Sequence, residues 1–512
     1  MRFVGRKREL QSLASFYHSG SAGLLILYGR RRIGKTRLIT HFMEQHQETP
    51  TFYWVATTHG EAYQLRDFSQ AILHHDPRLA GPPTEDFTFS GWEQALNHLA
   101  EVVALSDQPH LVVLDEFTYL LRNESAISSV FQKVWDQRLS HIPQLKLILT
   151  GSLIGMMARE VFAYQAPLYG RATAQIRLRP LAYAAVQELF PGRPADERVA
   201  IFGVSGGVPA YLELFTRSGN FVSALRDHCL VPGSMMMSDP AVVLYEQLQE
   251  PQTYESVLAA VASGFHQWSD IAKMAGVTET ALGHYLKILQ ELEFIERREP
   301  VLARPSGKRG RYFVADHFLR FYYRFIVPQL GAIERGYQEA AAAKIYAELR
   351  PFLGEYVFEE LCREWVWAAA MAGELGFVPE VVGSYWRTYR GTAVQLDVVA
   401  AAPREKRLLI GEAKWGRDRL GRRLLTDLIQ RSRRMPQVAE GWKSQYVLFA
   451  RAGFSDALEE EANARDALLI SLDELEETLS GGRGAGERGS GGAWNGGERF
   501  LGGPRNDGRG EE

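Results

Sequence analysis

At 512 residues the chain exceeds the ~250–300 residues at which one hydrophobic core stops growing, so about three domains are expected. Hydrophobic residues make up 46% and charged residues 23%, and a net charge of −3 gives no global bias toward nucleic acid or anionic membranes, so any such contact must use local basic patches. Two distant cysteines, Cys229 and Cys362, argue against a disulfide framework or zinc cluster; with neither a signal-peptide core at Met1–Arg6 nor a run of ~18 apolar residues, the expected location is cytoplasmic.

Residues 1 to about 180 alternate short apolar runs with helical patterns, as a parallel α/β sheet requires. Core strands are predicted at Leu24–Tyr28, Thr51–Val55, Leu111–Leu114 and Leu145–Thr150, each continuously apolar as in strands buried on both faces. After the first of them comes Gly29-Arg30-Arg31-Arg32-Ile33-Gly34-Lys35-Thr36, opening into Arg37-Leu38-Ile39. The spacing G-x-x-x-x-G-K-T between strand and helix is a phosphate cradle: backbone N–H groups of the loop and helix N-terminus face the anion. Lys35 is expected to reach the β- and γ-phosphates of ATP or GTP, and the Thr36 hydroxyl to ligate Mg²⁺.

The strand Leu111–Leu114 delivers Asp115 to the carboxyl edge of the sheet, where it can hold Mg²⁺. Glu116, one residue on, can orient and deprotonate an attacking water. The next strand ends in Thr150-Gly151-Ser152, where either Ser152 or Thr150 can hydrogen-bond the γ-phosphate or the water. Tyr169-Gly170-Arg171 offers an arginine after a turn, of the kind that stabilises transition-state charge across a subunit contact.

Phe3-Val4-Gly5-Arg6-Lys7-Arg8-Glu9-Leu10 looks like the N-terminal box of AAA+ and STAND-type ATPases. With Leu114-Asp115-Glu116, Leu149-Thr150-Gly151-Ser152, Leu168-Tyr169-Gly170-Arg171 and Gly206-Gly207-Val208-Pro209, residues 1–240 resemble the archaeal-type ATPase family. The resemblance implies ATP rather than GTP and a helical lid after the sheet. It also implies Arg171 as the arginine finger and Pro209 as the proline at the lid base. Arg30-Arg31-Arg32 departs from the pattern, but the cradle uses backbone N–H groups, so no loss of function is expected.

Helical periodicity covers Tyr183 to Leu214. Beyond it, Tyr254–Ala262, Trp268–Ala275 and Thr278–Leu292 read as three helices, with Thr278 as an N-cap. The run Arg304-Pro305-Ser306-Gly307-Lys308-Arg309-Gly310-Arg311 leads into Tyr312-Phe313-Val314 as a basic hairpin. Residues 250–315 therefore read as a winged helix, which binds DNA or packs as a lid and protein contact. The third helix exposes Glu279, His284, Lys287 and Gln290, so phosphate contacts would fall mainly to the wing.

Residues 316–479 begin with helices and continue as a second α/β unit. Val394–Ala400 and Arg407–Lys414 read as a hairpin pair, and period-two alternation puts Glu412 and Lys414 on one face. Asp397 on the neighbouring strand can join Glu412 in ligating a divalent cation, and Lys414 can position or help deprotonate a water attacking a phosphodiester. The helix opening near Glu355 can supply a further carboxylate, from either Glu359 or Glu360. This order resembles the PD-(D/E)XK nuclease superfamily, in the DUF234-type domain that follows archaeal-type ATPases. The resemblance implies Glu359, Asp397, Glu412 and Lys414 as the motif, with Leu396 in place of its proline. Downstream, Arg417, Arg419, Arg422, Arg423, Arg431, Arg433 and Arg434 face only Asp418 and Asp427, a basic surface suited to a nucleic-acid backbone.

Residues 480–512, rich in Gly with scattered Arg and Glu, are expected to be disordered. The expected architecture is a P-loop NTPase sheet with a helical lid, a winged helix and a PD-(D/E)XK-like α/β domain. The expected function is Mg²⁺-dependent ATP hydrolysis coupled to a nuclease-like domain acting on DNA, with a homo-oligomer implied by Arg171. The alternative is an ATP-dependent regulator that binds DNA or protein through a catalytically silent nuclease fold.

Overall fold

The computed structural model describes residues 2–79, 84, 86–123, 126–248, 250–303, 309–389 and 392–481. The hairpin residues Arg304–Lys308 and nearly all of the Gly-rich tail thus lie outside the described residues. Five strands form the first sheet: β1 (Gly23–Tyr28), β2 (Thr51–Val55), β3 (His110–Asp115), β4 (Leu145–Gly151) and β5 (Ala174–Arg177). Their order is β2-β3-β4-β1-β5 and every pairing is parallel. The apolar runs at β1, β3 and β4 lie buried in the middle of the sheet. β5 was absent from the sequence-based strands; it is a four-residue edge strand with alternating exposure, too short to stand out from a loop.

Helices cover both faces of this sheet. Lys7–Tyr17 and Lys35–Gln45 bury Leu13, Phe16, Leu38 and Phe42 against one face. Glu61–His75, Trp92–Ala104 and Ile127–Gln137 bury Phe68, Trp92, Leu99 and Phe131 against the other. Because β1, β3 and β4 run the same way, the ends of three strands carry the phosphate loop, Asp115 and Ser152 to one edge, where parallel α/β sheets take their ligands.

The chain then turns helical, with Tyr183–Leu189, Ala195–Ser205, Pro209–Phe215 and Met235–Gln247. Three more helices, Pro251–Ala262, Trp268–Ala275 and Glu279–Glu291, precede an antiparallel ribbon of β6 (Ile295–Arg298) and β7 (Arg311–Val314). Thr278 caps the third helix by accepting a hydrogen bond from Ala281 N, as the sequence predicted.

The helices His317–Phe321 and Gln338–Phe352 lead through a π-turn at Leu353–Phe358 into Glu359–Met371. A second five-stranded sheet follows: β8 (Val381–Tyr389), β9 (Thr392–Ala402), β10 (Arg407–Lys414), β11 (Lys443–Ala450) and β12 (Leu468–Ser471). Its order is β12-β11-β10-β9-β8, antiparallel across β8, β9 and β10 and parallel from β10 to β12. The helix Leu472–Leu479, held by a Ser471/Glu474 capping box, returns to the start of the helical segment, where Glu476 pairs with Arg198 and accepts the Tyr183 hydroxyl.

One continuous apolar core takes in Val4 and then runs from Leu181 to Leu475, joining the helices after the first sheet, the three-helix unit, the linking helices and one face of the second sheet. No described helix is long and apolar enough to cross a membrane.

Candidate functional site

The phosphate loop leaves β1 at Gly29, whose N–H donates to Gly151 O at 3.2 Å. Gly29 has φ 156°, and a Cβ there would sit 2.4 Å from Leu178 O, so the position admits only glycine. Gly34, the residue before the helix, is left-handed at φ 94°, and the nearest atom to a Cβ there is Pro209 Cγ at 3.8 Å, which brings Pro209 against the loop. Ile33 is buried beneath it. The helix Lys35–Gln45 thus points its free N–H groups into the cradle.

Lys35 is only 5% exposed, and its Nζ donates to Gly29 O at 3.0 Å, Arg30 O at 3.4 Å and Ser152 Oγ at 2.6 Å. Burial pulls its pKa below the ordinary lysine value, and the Glu116 and Asp115 carboxylates oppose that pull. Ser152 in turn donates to Glu116 Oε1 at 2.5 Å, so one hydroxyl links the lysine to the glutamate. Thr36 Oγ1 donates to Asp115 Oδ2 at 2.8 Å. The Thr150 hydroxyl donates to Asp115 Oδ1 and accepts from Glu116 N at 2.9 Å.

Two features of this site escaped the sequence analysis. The Tyr53 hydroxyl, from β2, donates to Asp115 Oδ2 at 2.5 Å, and burial followed by that contact raises the phenol well above its usual range. Its position on the strand beside the Asp115 strand was the available signal. Glu116 has φ 54°, a left-handed conformation costly for a glutamate, and its buried Oε2 has no hydrogen-bond partner. Ser152 thus holds one oxygen of Glu116, and no group among the described residues bonds the other. The oxygen donors of Thr36 and Asp115 fit Mg²⁺, which takes few protein ligands and keeps its waters.

The remaining loop residues face elsewhere. Arg30 pairs with Asp316, Arg31 Nη1 lies 3.2 Å from Glu246 and Arg32 Nη2 lies 2.7 Å from Asp239. Arg37 turns along its helix to Glu44 at 2.7 Å. Arg171 makes a two-pronged contact with Asp136, at 2.8 and 2.7 Å, and caps the carbonyls of Pro167 and Tyr169.

Residues 3–215 match the model of an ATPase domain found predominantly in Archaea, and residues 322–424 match DUF234, a family of archaeal and bacterial proteins of unknown function. An uncharacterized protein of Methanocaldococcus jannaschii is 30% identical over 475 residues, covering 92% of this chain and 100% of the relative. The chain belongs to the archaeal-type ATPase family. It is an ATP-hydrolysing enzyme of the P-loop class. An uncharacterized ATP-binding protein of the same organism is 55% identical over 42 residues, 8% of this chain and 71% of that relative. A Walker-type ATPase of Pyrococcus abyssi aligns with 62% of this ATPase and 95% of its own chain, at 19% identity and a TM-score of 0.47.

The second constellation of the ATPase lies on β9, β10 and the helix Glu359–Met371. Lys414 Nζ donates to Glu412 Oε1 at 2.6 Å and lies 3.9 Å from Asp397 Oδ2. Arg431 Nη2 donates to Glu412 Oε2 at 2.8 Å, and Ala413 N donates to Asp397 Oδ2 at 3.2 Å. Arg363 ties the helix to the strand: it lies 3.5 Å from Glu359 Oε2 and donates to Asp397 O at 3.0 Å. Burial, then Asp397, pushes the Glu359 carboxyl up to about 8. Burial, then Glu412, raises Asp397. Arg363 and Arg431 were not expected in these contacts.

Glu359 and Glu360 separate cleanly. Glu359 faces Asp397, whereas Glu360 lies among Arg298 at 2.6 Å, His317 at 3.1 Å and Arg320 at 3.4 Å. Burial raises Glu360, but those three neighbours outweigh it and hold the carboxyl well below its usual range. Among the described residues, no three His, Cys, Asp or Glu side chains are gathered as a ready metal cage.

Proposed function

We propose that Lys35, Thr36, Asp115 and Glu116 carry out Mg²⁺-dependent ATP hydrolysis, and that the ATP cycle governs a nuclease-like domain that acts on DNA. In the first site Lys35 and the loop N–H groups bind the β- and γ-phosphates, while Thr36 and Asp115 would hold the Mg²⁺. The ion supplies neutralisation of the charge that builds on the phosphate oxygens. Glu116 orients the water and takes its proton, and Ser152 keeps Glu116 and Lys35 in register. Tied to Asp136, Arg171 has no part in that set within its own chain and would serve only across a contact with a second copy.

The observation that carries the DNA reading is the cluster of Glu359, Asp397, Glu412 and Lys414 beside the exposed Arg417, Arg419, Arg422, Arg423, Arg433 and Arg434. Asp397 and Glu412 are 8% and 5% exposed, and their crowding favours a divalent cation that would relieve it. Asp397 and Glu412 would hold Mg²⁺, with Glu359 nearby and Lys414 positioning the water that attacks a phosphodiester. The three helices and the β6–β7 ribbon have the order of a winged helix, whose exposed Lys287, Gln290 and Arg309 would meet the same duplex.

One observation favours the alternative, a regulator that grips without cutting: both oxygens of Glu412 are already taken by Lys414 and Arg431. Wild type, Lys35→Ala and Lys414→Ala, assayed for ATP turnover with and without DNA and for Mg²⁺-dependent cleavage, separate the two. The nuclease reading expects cleavage by wild type and none by Lys414→Ala. Cleavage that survives Lys414→Ala sinks it, and DNA binding without cleavage selects the regulator.

A further inference from the structure

The phosphate cradle needs only backbone N–H groups, yet its three arginines each find an acidic partner in the segments that follow the sheet. Arg32 and Arg31 reach Asp239 and Glu246, both on the helix Met235–Gln247. Arg30 reaches farther along the chain, to Asp316, and this pair is nearly closed to solvent, with side chains 12% and 10% exposed. Tyr211 seals it: its hydroxyl donates to Asp239 Oδ2 at 2.9 Å and its ring lies 4.2 Å from that of Phe318. Buried ion pairs contribute little net stability over apolar packing, so this one invites a role other than stability.

Asp316 is also the N-cap of the helix His317–Phe321, accepting from Leu319 N at 2.8 Å. The same helix reaches the second domain from its other side. His317 Nε2 lies 3.1 Å from Glu360 Oε2, and Arg320 Nη1 lies 3.4 Å from Glu360 Oε1 and donates to Tyr356 O at 3.1 Å. Glu360 adjoins Glu359, the carboxylate that faces Asp397. One short helix therefore holds the phosphate loop at Asp316 and the acidic cluster's own helix at His317 and Arg320.

We propose that Asp316, His317, Arg320 and Glu360 are positioning residues that transmit the nucleotide state of the phosphate loop to Glu359. The proposal rests on the ATP-binding reading of that loop. A triphosphate held by the loop's N–H groups adds negative charge to, and fixes the backbone of, the loop that carries Arg30, and so shifts the balance of the buried Arg30–Asp316 pair. Whatever Asp316 loses of Arg30, the helix His317–Phe321 gains in freedom, and the shift reaches Glu360 through side chains already in contact. The different hold of Arg30 on Asp316 with the loop empty or occupied gives the nucleotide its purchase on the second domain.

Hydrogen exchange of the full-length chain, with and without a non-hydrolysable ATP analogue and Mg²⁺, tests this. In wild type the analogue slows exchange at residues 29–45 and changes it roughly tenfold at 316–321 and 353–365. Asp316→Asn keeps an N-cap side chain but removes the charge. It should retain the response at 29–45 and lose it at 316–321 and 353–365. Glu360→Gln breaks the far link, so the response should persist at 316–321 and vanish at 353–365; it also serves if Asp316→Asn does not fold. A double variant adds a check: Arg30→Gln combined with Asp316→Asn should lose the distal responses to the same extent as Asp316→Asn alone, because both act on one ion pair, and a further loss would overturn the link between them. An unaltered distal response in Asp316→Asn, or a wild type that responds at 29–45 alone, overturns the proposal. No response at 29–45 overturns the nucleotide reading itself. Cleavage is not measured, so a catalytically silent acidic cluster leaves the test intact.

Discussion

The two acidic sites of this ATPase are built on opposite terms. At the first sheet, Asp115 accepts hydrogen bonds from hydroxyl and backbone N–H donors, of Thr36, Tyr53, Thr150 and Glu116, and the nearby Lys35 acts on it through space without bonding it. At the second sheet, Glu412 is met by Lys414 and Arg431, while Glu359 and Asp397 crowd each other. On the proposed reading, a cation at the first site would meet oxygen donors only, whereas one at the second would have to displace Lys414 and Arg431 from Glu412. That difference agrees with the proposed order of events, in which the first site acts and the second waits on it.

The comparison breaks most readily at Glu359. Its carboxyl titrates near 8 in the folded chain against 4.5 unfolded, so the folded state holds a proton that the unfolded chain has released between those values. Stability from this group is complete below pH 4.5 and is lost as pH rises through 8. Divalent binding at the second site must displace the same proton, so Mg²⁺ affinity there should rise with pH by up to about tenfold per unit until pH 8. Glu359→Gln should flatten both trends, as read by calorimetry and thermal melts. A Mg²⁺ affinity independent of pH would put the metal elsewhere.

A smaller effect is expected at the loop. Gly29→Ala pushes a Cβ into Leu178 O, and should cost about 1–3 kcal/mol of stability along with nucleotide binding. Smallest is Tyr53→Phe. It removes one of four donors to Asp115, worth ~0.5–1.5 kcal/mol, and should weaken Mg²⁺-dependent turnover several-fold without unfolding the chain.

Local signals were legible in the sequence and long-range ones were not. Thr51–Val55 forms the predicted strand, although at the sheet edge with alternating burial and not buried on both faces; Trp268–Ala275 forms the predicted helix and Thr278 caps the next one, because spacing and capping act within a few residues. The edge strand β8 went unseen: it carries polar residues among its apolar ones and a register shift between Gly383 and Tyr385. The residues alone left Glu359 and Glu360 open and only the family resemblance chose Glu359, since neighbours on a helix point about 100° apart and the choice depends on what packs there. The π-turn at Leu353–Phe358, just before them, shifts the phase further. Arg30, Arg31 and Arg32 read only as members of the phosphate loop, because the acidic partners their side chains find lie far along the chain.

Glu116 decides the account, since it alone separates an ATP-hydrolysing site from one that only binds. Phosphate release by wild type and Glu116→Gln, measured with Mg²⁺ beside the nucleotide affinity of each, is the direct measurement. Turnover should fall by about 10²–10⁴-fold in the variant while affinity holds within a few-fold. Undiminished turnover in Glu116→Gln would contradict the assignment of Glu116 as the base and the hydrolytic mechanism built on it.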